Sequence, residues 1–243
     1  MQDAGCRIQD ARYGMQDAGC RMSFQIIRTS DGSDTIFSSS VKENYHSSHG
    51  AVQESKHIFI DAGLMHIARG STTLNILEVG FGTGLNALLT LIEAGTLGKK
   101  IIYTTIEAFP LDAGIWEKLN YPKIIAPTDY TEIFSILHLA SWNRNVEISD
   151  LFRLHKIHKK LEDYQLADGA FDLVYFDAFS PVVQPELWSQ AIFEKLYSAM
   201  TAGAILTTYS VKGEVIRAMK ASGFSVEKIP GPPGKRHITR ASK

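Results

Sequence analysis

Three glycines at alternate positions, Gly80, Gly82 and Gly84, follow the apolar run Leu74 to Val79, and Glu78 stands two residues before the first of them. A buried strand running into alternate glycines predicts a tight turn that opens a helix. Glycine accepts positive φ, and its missing Cβ lets a ligand lie against backbone N–H groups at the helix start. The chemistry of such a turn is ligand binding. A dinucleotide fingerprint needs Gly or Ala three residues after Gly82, where Leu85 stands, and a carboxylate at Glu78 repels a pyrophosphate. A cationic or neutral ligand is expected instead. Two more carboxylates close later strands: Glu107 after Lys100 to Ile106, suited to ribose hydroxyls, and Asp177 after Phe171 to Phe176. Asp177 meets the glycine turn if the first and fourth strands are neighbours at the switch point of the sheet.

These residues need a frame. Leu85 to Ala94 reads as a helix, and residues 109–142 as one or two helices with loops. Asn145 to Lys156 is strand-like. Beyond Asp177, Gln184-Pro185-Glu186-Leu187-Trp188 leads a helix to Met200. Ala204 to Tyr209 is a strand and Gly213 to Ser222 a helix. Phe224 to Ile229 and His237 to Ala241 form a hairpin about Gly231-Pro232-Pro233-Gly234. Strands alternating with helices predict an α/β fold with a mostly parallel sheet. Ahead of it, Phe24 to Thr29 and Thr35 to Ser38 predict a hairpin, and His57 to Ile67 carries a helical apolar face.

The chain has 243 residues, 44% hydrophobic and 21% charged, which suits one globular domain with a small appendage. A net charge of −1 and a pI near 6.7 give no global sign of nucleic-acid binding, so RNA contact must come from local basic stretches. Leu151 to Lys160 and Lys228 to Lys243 are two such stretches without an acid. No run of about 18 apolar residues occurs and no apolar segment opens the chain, so the expectation is a cytoplasmic protein without membrane contact. Met1 to Arg7 reads MQDAGCR and recurs at Met15 to Arg21. That repeat is too short and polar to bury a face, so residues 1–21 are expected to be a disordered tail before a domain at 22–243, with Met22 the natural start. Deleting residues 1–21 should leave melting temperature and turnover unchanged; a large loss of either would make the tail part of the fold. Cys6 and Cys20 both lie in this tail, so the domain has no thiolate, disulfide or cysteine-based zinc site. His46 and His49 lack a nearby cysteine or carboxylate pair, and no metal is expected.

The segment Glu78-Val79-Gly80-Phe81-Gly82-Thr83-Gly84 resembles the first motif of class I S-adenosylmethionine-dependent methyltransferases. Further stretches make the resemblance more specific: Tyr45-His46-Ser47 with Gly50-Ala51 and Glu54-Ser55, then Glu107-Ala108-Phe109-Pro110-Leu111. After these come Asp177-Ala178-Phe179-Ser180-Pro181 through Pro185-Glu186-Leu187-Trp188, and Gly231 to Arg236. Together, over about Met22 to Ala241, the chain resembles the MnmC/MnmD family, which methylates 5-aminomethyl(2-thio)uridine at the wobble position of tRNA.

The resemblance implies a Rossmann-like sheet of seven strands, mostly parallel with an antiparallel C-terminal hairpin, and S-adenosylmethionine as cofactor. It implies cofactor contacts from Tyr45, Glu78, Gly80, Phe81, Gly82, Gly84, Asn86, Glu107, Ala108 and Asp177. Asp177 is the implied catalytic residue, and Phe179, Pro181, Trp188, Lys235 and Arg236 are the implied contacts to tRNA. An Asp177 of ordinary pKa near 4 would orient the amine and stabilise its developing charge rather than act as a strong base. Two departures stand out. His155-Lys156 takes the place where relatives often carry Gly-Asp near the adenine. Nothing follows Lys243, so the FAD-dependent oxidase domain of bifunctional relatives is not expected and the protein would only methylate. Two other readings stay open: an amine methyl- or aminopropyltransferase of the spermidine-synthase type, and a non-catalytic nucleoside- or RNA-binding module.

Overall fold

The computed structural model of the chain describes residues 24–68, 71–125 and 128–243. The expected tail, with both cysteines and Met22, lies outside them. In chain order the strands are β1 (Phe24–Arg28), β2 (Asp34–Ser38), β3 (Glu43–Asn44), β4 (Thr73–Val79), β5 (Lys100–Glu107) and β6 (Asn145–Ser149). They continue with β7 (Phe152–His158), β8 (Phe171–Phe176), β9 (Met200–Thr208), β10 (Ser225–Pro230) and β11 (His237–Ser242). β1 to β3 form a small antiparallel sheet. The others form one eight-stranded sheet in the order β10-β11-β9-β8-β4-β5-β7-β6.

The central strands β9, β8, β4, β5 and β7 pair in parallel, while β6, β11 and β10 join antiparallel. The sheet has eight strands where seven were expected, because Asn145 to Lys156 is a hairpin and not one strand. Asp150-Leu151 turns the chain between β6 and β7, and the alternating exposure of β6 suits an edge.

Strand alternation divides the interior into two layers. Leu74 and Ile76 of β4, Tyr103 of β5 and Leu173 and Tyr175 of β8 pack with Ile58, Phe59 and Leu64 and with the helix Leu85–Leu97. Leu77 and Val79 of β4 and Val174 and Phe176 of β8 pack on the other face, against Ile192, Phe193, Leu196, Val215 and Met219. Both faces of the parallel strands are covered, which is why they read as nearly continuous apolar runs. The helical segment from Ala51 to Ile67 is wound as a π-helix over Lys56–Leu64. Gly63 lets it lie close on β8, since a Cβ there would sit 3.2 Å from the Tyr175 ring.

β4 pairs with β5 on one side and β8 on the other, so the strand order reverses beside it. The crevice at such a reversal, outside the carboxyl ends of the strands, is where open α/β sheets bind ligands. Among the described residues no helix is long and apolar enough to cross a membrane.

Candidate active site

The end of β4 is joined to both neighbours by backbone hydrogen bonds. The Gly80 N–H donates to the Ile106 carbonyl at 2.9 Å, and the Asp177 N–H donates to the Val79 carbonyl at 3.1 Å. Gly80, Gly82 and Gly84 have φ of +93°, +49° and +74°. A Cβ on Gly80 would lie 2.8 Å from the Asp177 carbonyl oxygen, so glycine is what lets the ends of β4 and β8 meet. Gly84 caps the helix Leu85–Leu97. Glu107 ties the turn to β5, its Oε2 accepting the Gly82 N–H at 3.0 Å and its Oε1 the Phe109 N–H at 2.8 Å. Each oxygen keeps a lone pair for a further donor such as a ribose hydroxyl.

Asn86, the second residue of that helix, donates from Nδ2 to Asp177 Oδ2 at 2.8 Å. Burial pushes the Asp177 carboxyl up to about 7. The Asn86 hydrogen bond opposes that shift, the Glu54 carboxylate adds to it, and Lys235 opposes it. The expectation of an ordinary pKa near 4 is therefore corrected: desolvation at the mouth of the sheet poises this carboxyl near neutrality.

The N-terminal sheet supplies the remaining wall. Tyr45 lies over Gly82, whose Cβ would meet the Tyr45 ring at 3.3 Å, and meets Phe179 edge to face at a centroid distance of 4.9 Å. Glu43 of β3 accepts the Ser180 N–H at 3.1 Å and the Ser180 hydroxyl, which clamps the loop after Asp177. The cavity, of about 520 Å³, takes in the glycine turn, Asn86, Glu107, Ala108, Asp177 and Phe179, along with Glu43, Tyr45, Glu54 and Lys235. Phe109 stands at its rim with 54% of its surface exposed. Sequence reasoning gave no role to Glu43, Glu54 or Phe109. Only the unusual exposure of an aromatic after a strand end marks Phe109, and the two glutamates act through partners 137 and 181 residues away.

Other expected site residues stand elsewhere. Glu78 does not project into the cavity. It is fully buried beneath the turn on the face of Leu74 and Ile76, with neither oxygen hydrogen-bonded. Burial raises its pKa well above the ordinary value, and nearby Thr105 is the largest opposing influence. Trp188 is buried, packing on Phe176 and Tyr209 and donating from its indole N–H to the Phe179 carbonyl at 2.7 Å. It shapes the loop and offers no face to a base. Pro181 is also buried. Lys235 points into the cavity, ion-paired to Glu54, so of the hairpin's two expected tRNA contacts Arg236 alone stands exposed; the nearby Arg240 pairs with Glu227.

The basic stretch also divides. The period of β7 turns Lys156 inward with Phe152 and Leu154, where its Nζ donates to the His138 carbonyl at 2.5 Å. That ammonium lies 5.2 Å from the Phe81 ring centre and 4.6 Å from that of Trp142, and burial pushes its pKa down to about 8. His155-Lys156 are thus inside the strand and not at its end. Beyond the end of that strand, Lys159 and Leu161 line the cavity. His46, half-buried, has its buried Nδ1 unpartnered, and desolvation pushes its pKa down to about 4. Among the described residues no three His, Cys, Asp or Glu side chains gather in a metal-binding group.

Residues 143–243 match the family model described as S-adenosyl-L-methionine-dependent methyltransferase. The chain is 31% identical over 235 residues to the tRNA 5-methylaminomethyl-2-thiouridine biosynthesis bifunctional protein MnmC of Aromatoleum aromaticum, an alignment covering 87% of this chain and 34% of that protein. The chain thus spans about a third of the length of the curated relatives it matches. Among solved structures, MnmC2 from Aquifex aeolicus superposes with a TM-score of 0.77 at 23% identity, covering 91% of this chain and 71% of that one. Spermidine synthase from Thermotoga maritima superposes with 0.55 at 12%, covering 94% and 70%; both likenesses bear on the fold. S-adenosylmethionine is the cofactor, and the geometry of this cavity fits it. The glycine turn leaves room where Cβ atoms would stand, Glu107 closes β5, and no cation on the turn opposes a sulfonium.

Proposed function

We propose, from the premise that this chain is an S-adenosylmethionine-dependent methyltransferase domain of the MnmC type, that it methylates the exocyclic amine of 5-aminomethyl(2-thio)uridine at the wobble position of cytoplasmic tRNA. The observation that carries this reading is Asp177, a carboxyl with a pKa near 7 held by Asn86 at the mouth of the cofactor turn. An alkylamine has a pKa of about 10 and is mostly protonated at neutral pH, so its lone pair must be freed before it can attack. The cofactor, when bound, supplies an electrophilic methyl on a sulfonium sulfur. Asp177 accepts a proton from the substrate ammonium and later returns it to solvent. Burial narrows the gap between this acid and the amine from about six pKa units to about three, while the same dry surroundings disfavour the ammonium. Asn86 holds the carboxylate, and the clamp of Glu43 on Ser180 holds the loop that carries Phe179. Phe179 and Phe109 at the cavity mouth supply the aromatic faces on which a splayed base stacks.

A radiolabelled methyl-transfer assay tests the reading. Transfer to tRNA bearing the aminomethyl group, and not to tRNA lacking it, is expected. Transfer to a free polyamine instead would favour the spermidine-synthase type, and no transfer to any amine would favour the non-catalytic module.

Lys159 and Arg236 are exposed near the cavity, at the end of β7 and on the terminal hairpin. Replacing either by alanine is expected to weaken tRNA binding broadly and to lower the salt slope by about one unit each. An unchanged slope in the double variant would move the RNA to another face.

A further inference from the structure

The glycine turn is held from behind by side chains that lie outside the cavity. His138, in the last turn of the helix Thr131–Leu139, stacks flat on Trp116 at a centroid distance of 4.3 Å and meets Phe134 edge to face at 4.7 Å. So placed, its Nε2 lies 3.1 Å from the Thr83 carbonyl. A carbonyl only accepts, so Nε2 carries the proton and donates. A Cβ on Gly84 would stand 2.7 Å from that nitrogen and 3.2 Å from Phe81 Cζ, so imidazole and turn are in close contact. Burial, opposed by the Thr83 hydrogen bond and reinforced by Lys156, pushes the imidazole down to about 3. The second hold comes from β7. The buried Lys156 ammonium donates to the His138 carbonyl and turns its charge to the rings of Phe81 and Trp142. Among the described residues no carboxylate pairs with it. A buried ammonium without a counter-ion is costly, and what this one secures is the end of the helix that carries His138.

Thr83 stands at the junction of turn and helix. Next to it, the Gly84 N–H donates to the Phe81 carbonyl at 2.8 Å, and the Gly84 carbonyl accepts the Leu88 N–H at 3.0 Å. Asn86, two residues further on, is the side chain that holds Asp177. We propose that His138 and Lys156 are positioning residues for the methyl transfer: they fix the start of the helix Leu85–Leu97, and through it the Asn86 amide that orients the Asp177 carboxyl. Neither lines the cavity, so they act through Thr83 and Phe81 and touch no reacting group. Their role rests on the reading of Asp177 given above and not on which RNA is the substrate.

Measurements on the full chain, with neither cofactor nor RNA added, test this. In nitrogen NMR spectra the His138 ring, identified by its loss in His138→Gln, is expected to show the Nε2–H tautomer and to stay neutral below about pH 6, where an ordinary imidazole is charged. In Lys156→Met and His138→Leu, hydrogen exchange at the Gly84 and Leu88 amides is expected to quicken about two- to tenfold, the range of one hydrogen bond. The Asp177 carboxyl, followed by carbon NMR and identified by its loss in Asp177→Asn, is expected to titrate about half to one pH unit higher as the Asn86 contact loosens. His138→Gln, whose amide keeps an N–H near the place of Nε2, restores both readings. A merely structural role would lower the melting temperature and move neither. An imidazole that titrates in the ordinary range, or native exchange and a native Asp177 titration in a folded variant, would overturn the proposal alone. A shifted carboxyl with an unchanged rate of single-turnover methylation would overturn the role given to Asp177, and theirs with it. If neither variant folds, the native histidine spectrum decides.

Discussion

Asp177→Asn is expected to bind S-adenosylmethionine close to the native affinity and to lose about a hundredfold or more in turnover. The amide matches the carboxyl in size, and the glycine turn and Glu107 remain in place on the cofactor side. What is lost is the carboxylate that takes the amine's proton, since an amide takes no proton at neutral pH. Calorimetry beside single-turnover methylation of aminomethyl tRNA separates the two effects. The pH dependence adds an independent check. The native rate should rise with pH through about 7 as Asp177 ionises, and that limb should vanish in the variant. Stability runs the other way. A carboxyl raised from 3.8 to about 7 in the fold binds its proton more tightly folded than unfolded. Its contribution is greatest in acid and is lost as pH climbs from about 4 to about 7. Asp177→Asn should therefore melt at least as high as the native chain at pH 8. Near-native turnover by the variant would remove Asp177 from proton transfer.

Gly80→Ala should cost the site more than Gly82→Ala, although both glycines stand at positive φ. At Gly80 the new methyl group would meet the Asp177 carbonyl, a backbone atom in the parallel pairing of β4 and β8 that cannot swing aside. Either the strand ends separate or the turn distorts, and both outcomes displace the Asp177 carboxyl and the glycine turn together. A φ unsuited to alanine adds about 1–3 kcal/mol. The expected result is a lowered melting temperature and cofactor binding too weak to measure by calorimetry. At Gly82 the neighbour is the edge of the Tyr45 ring at 3.3 Å, which can shift, so a measurable but weakened affinity is expected. The reverse order of severity would mean that the turn, and not the β4–β8 junction, limits the site.

The strand, turn and helix about Gly80 to Gly84, the acid closing β5 and Asp177 at the end of β8 were all legible in the amino-acid order. Each follows from local rules: φ at a glycine, apolar runs that mark buried parallel strands, and the short range of a helix start. The hairpin of β10 and β11 was legible for the same reason, through its Gly-Pro-Pro-Gly turn. Charge was not. Glu78, Lys156, Lys235 and Asp177 look alike in sequence as acids and bases near strand ends, yet two are buried, one pairs across the cavity and one is poised near neutrality. Burial class depends on the register of a strand against its neighbours, as when β7 turns Lys156 inward beneath Phe81. Partnership depends on contacts such as Glu43 with Ser180 and Glu54 with Lys235, which join opposite ends of the chain. Desolvation is set by everything packed around a group, so only the assembled fold decides which carboxyl can take a proton and which lysine faces the cavity.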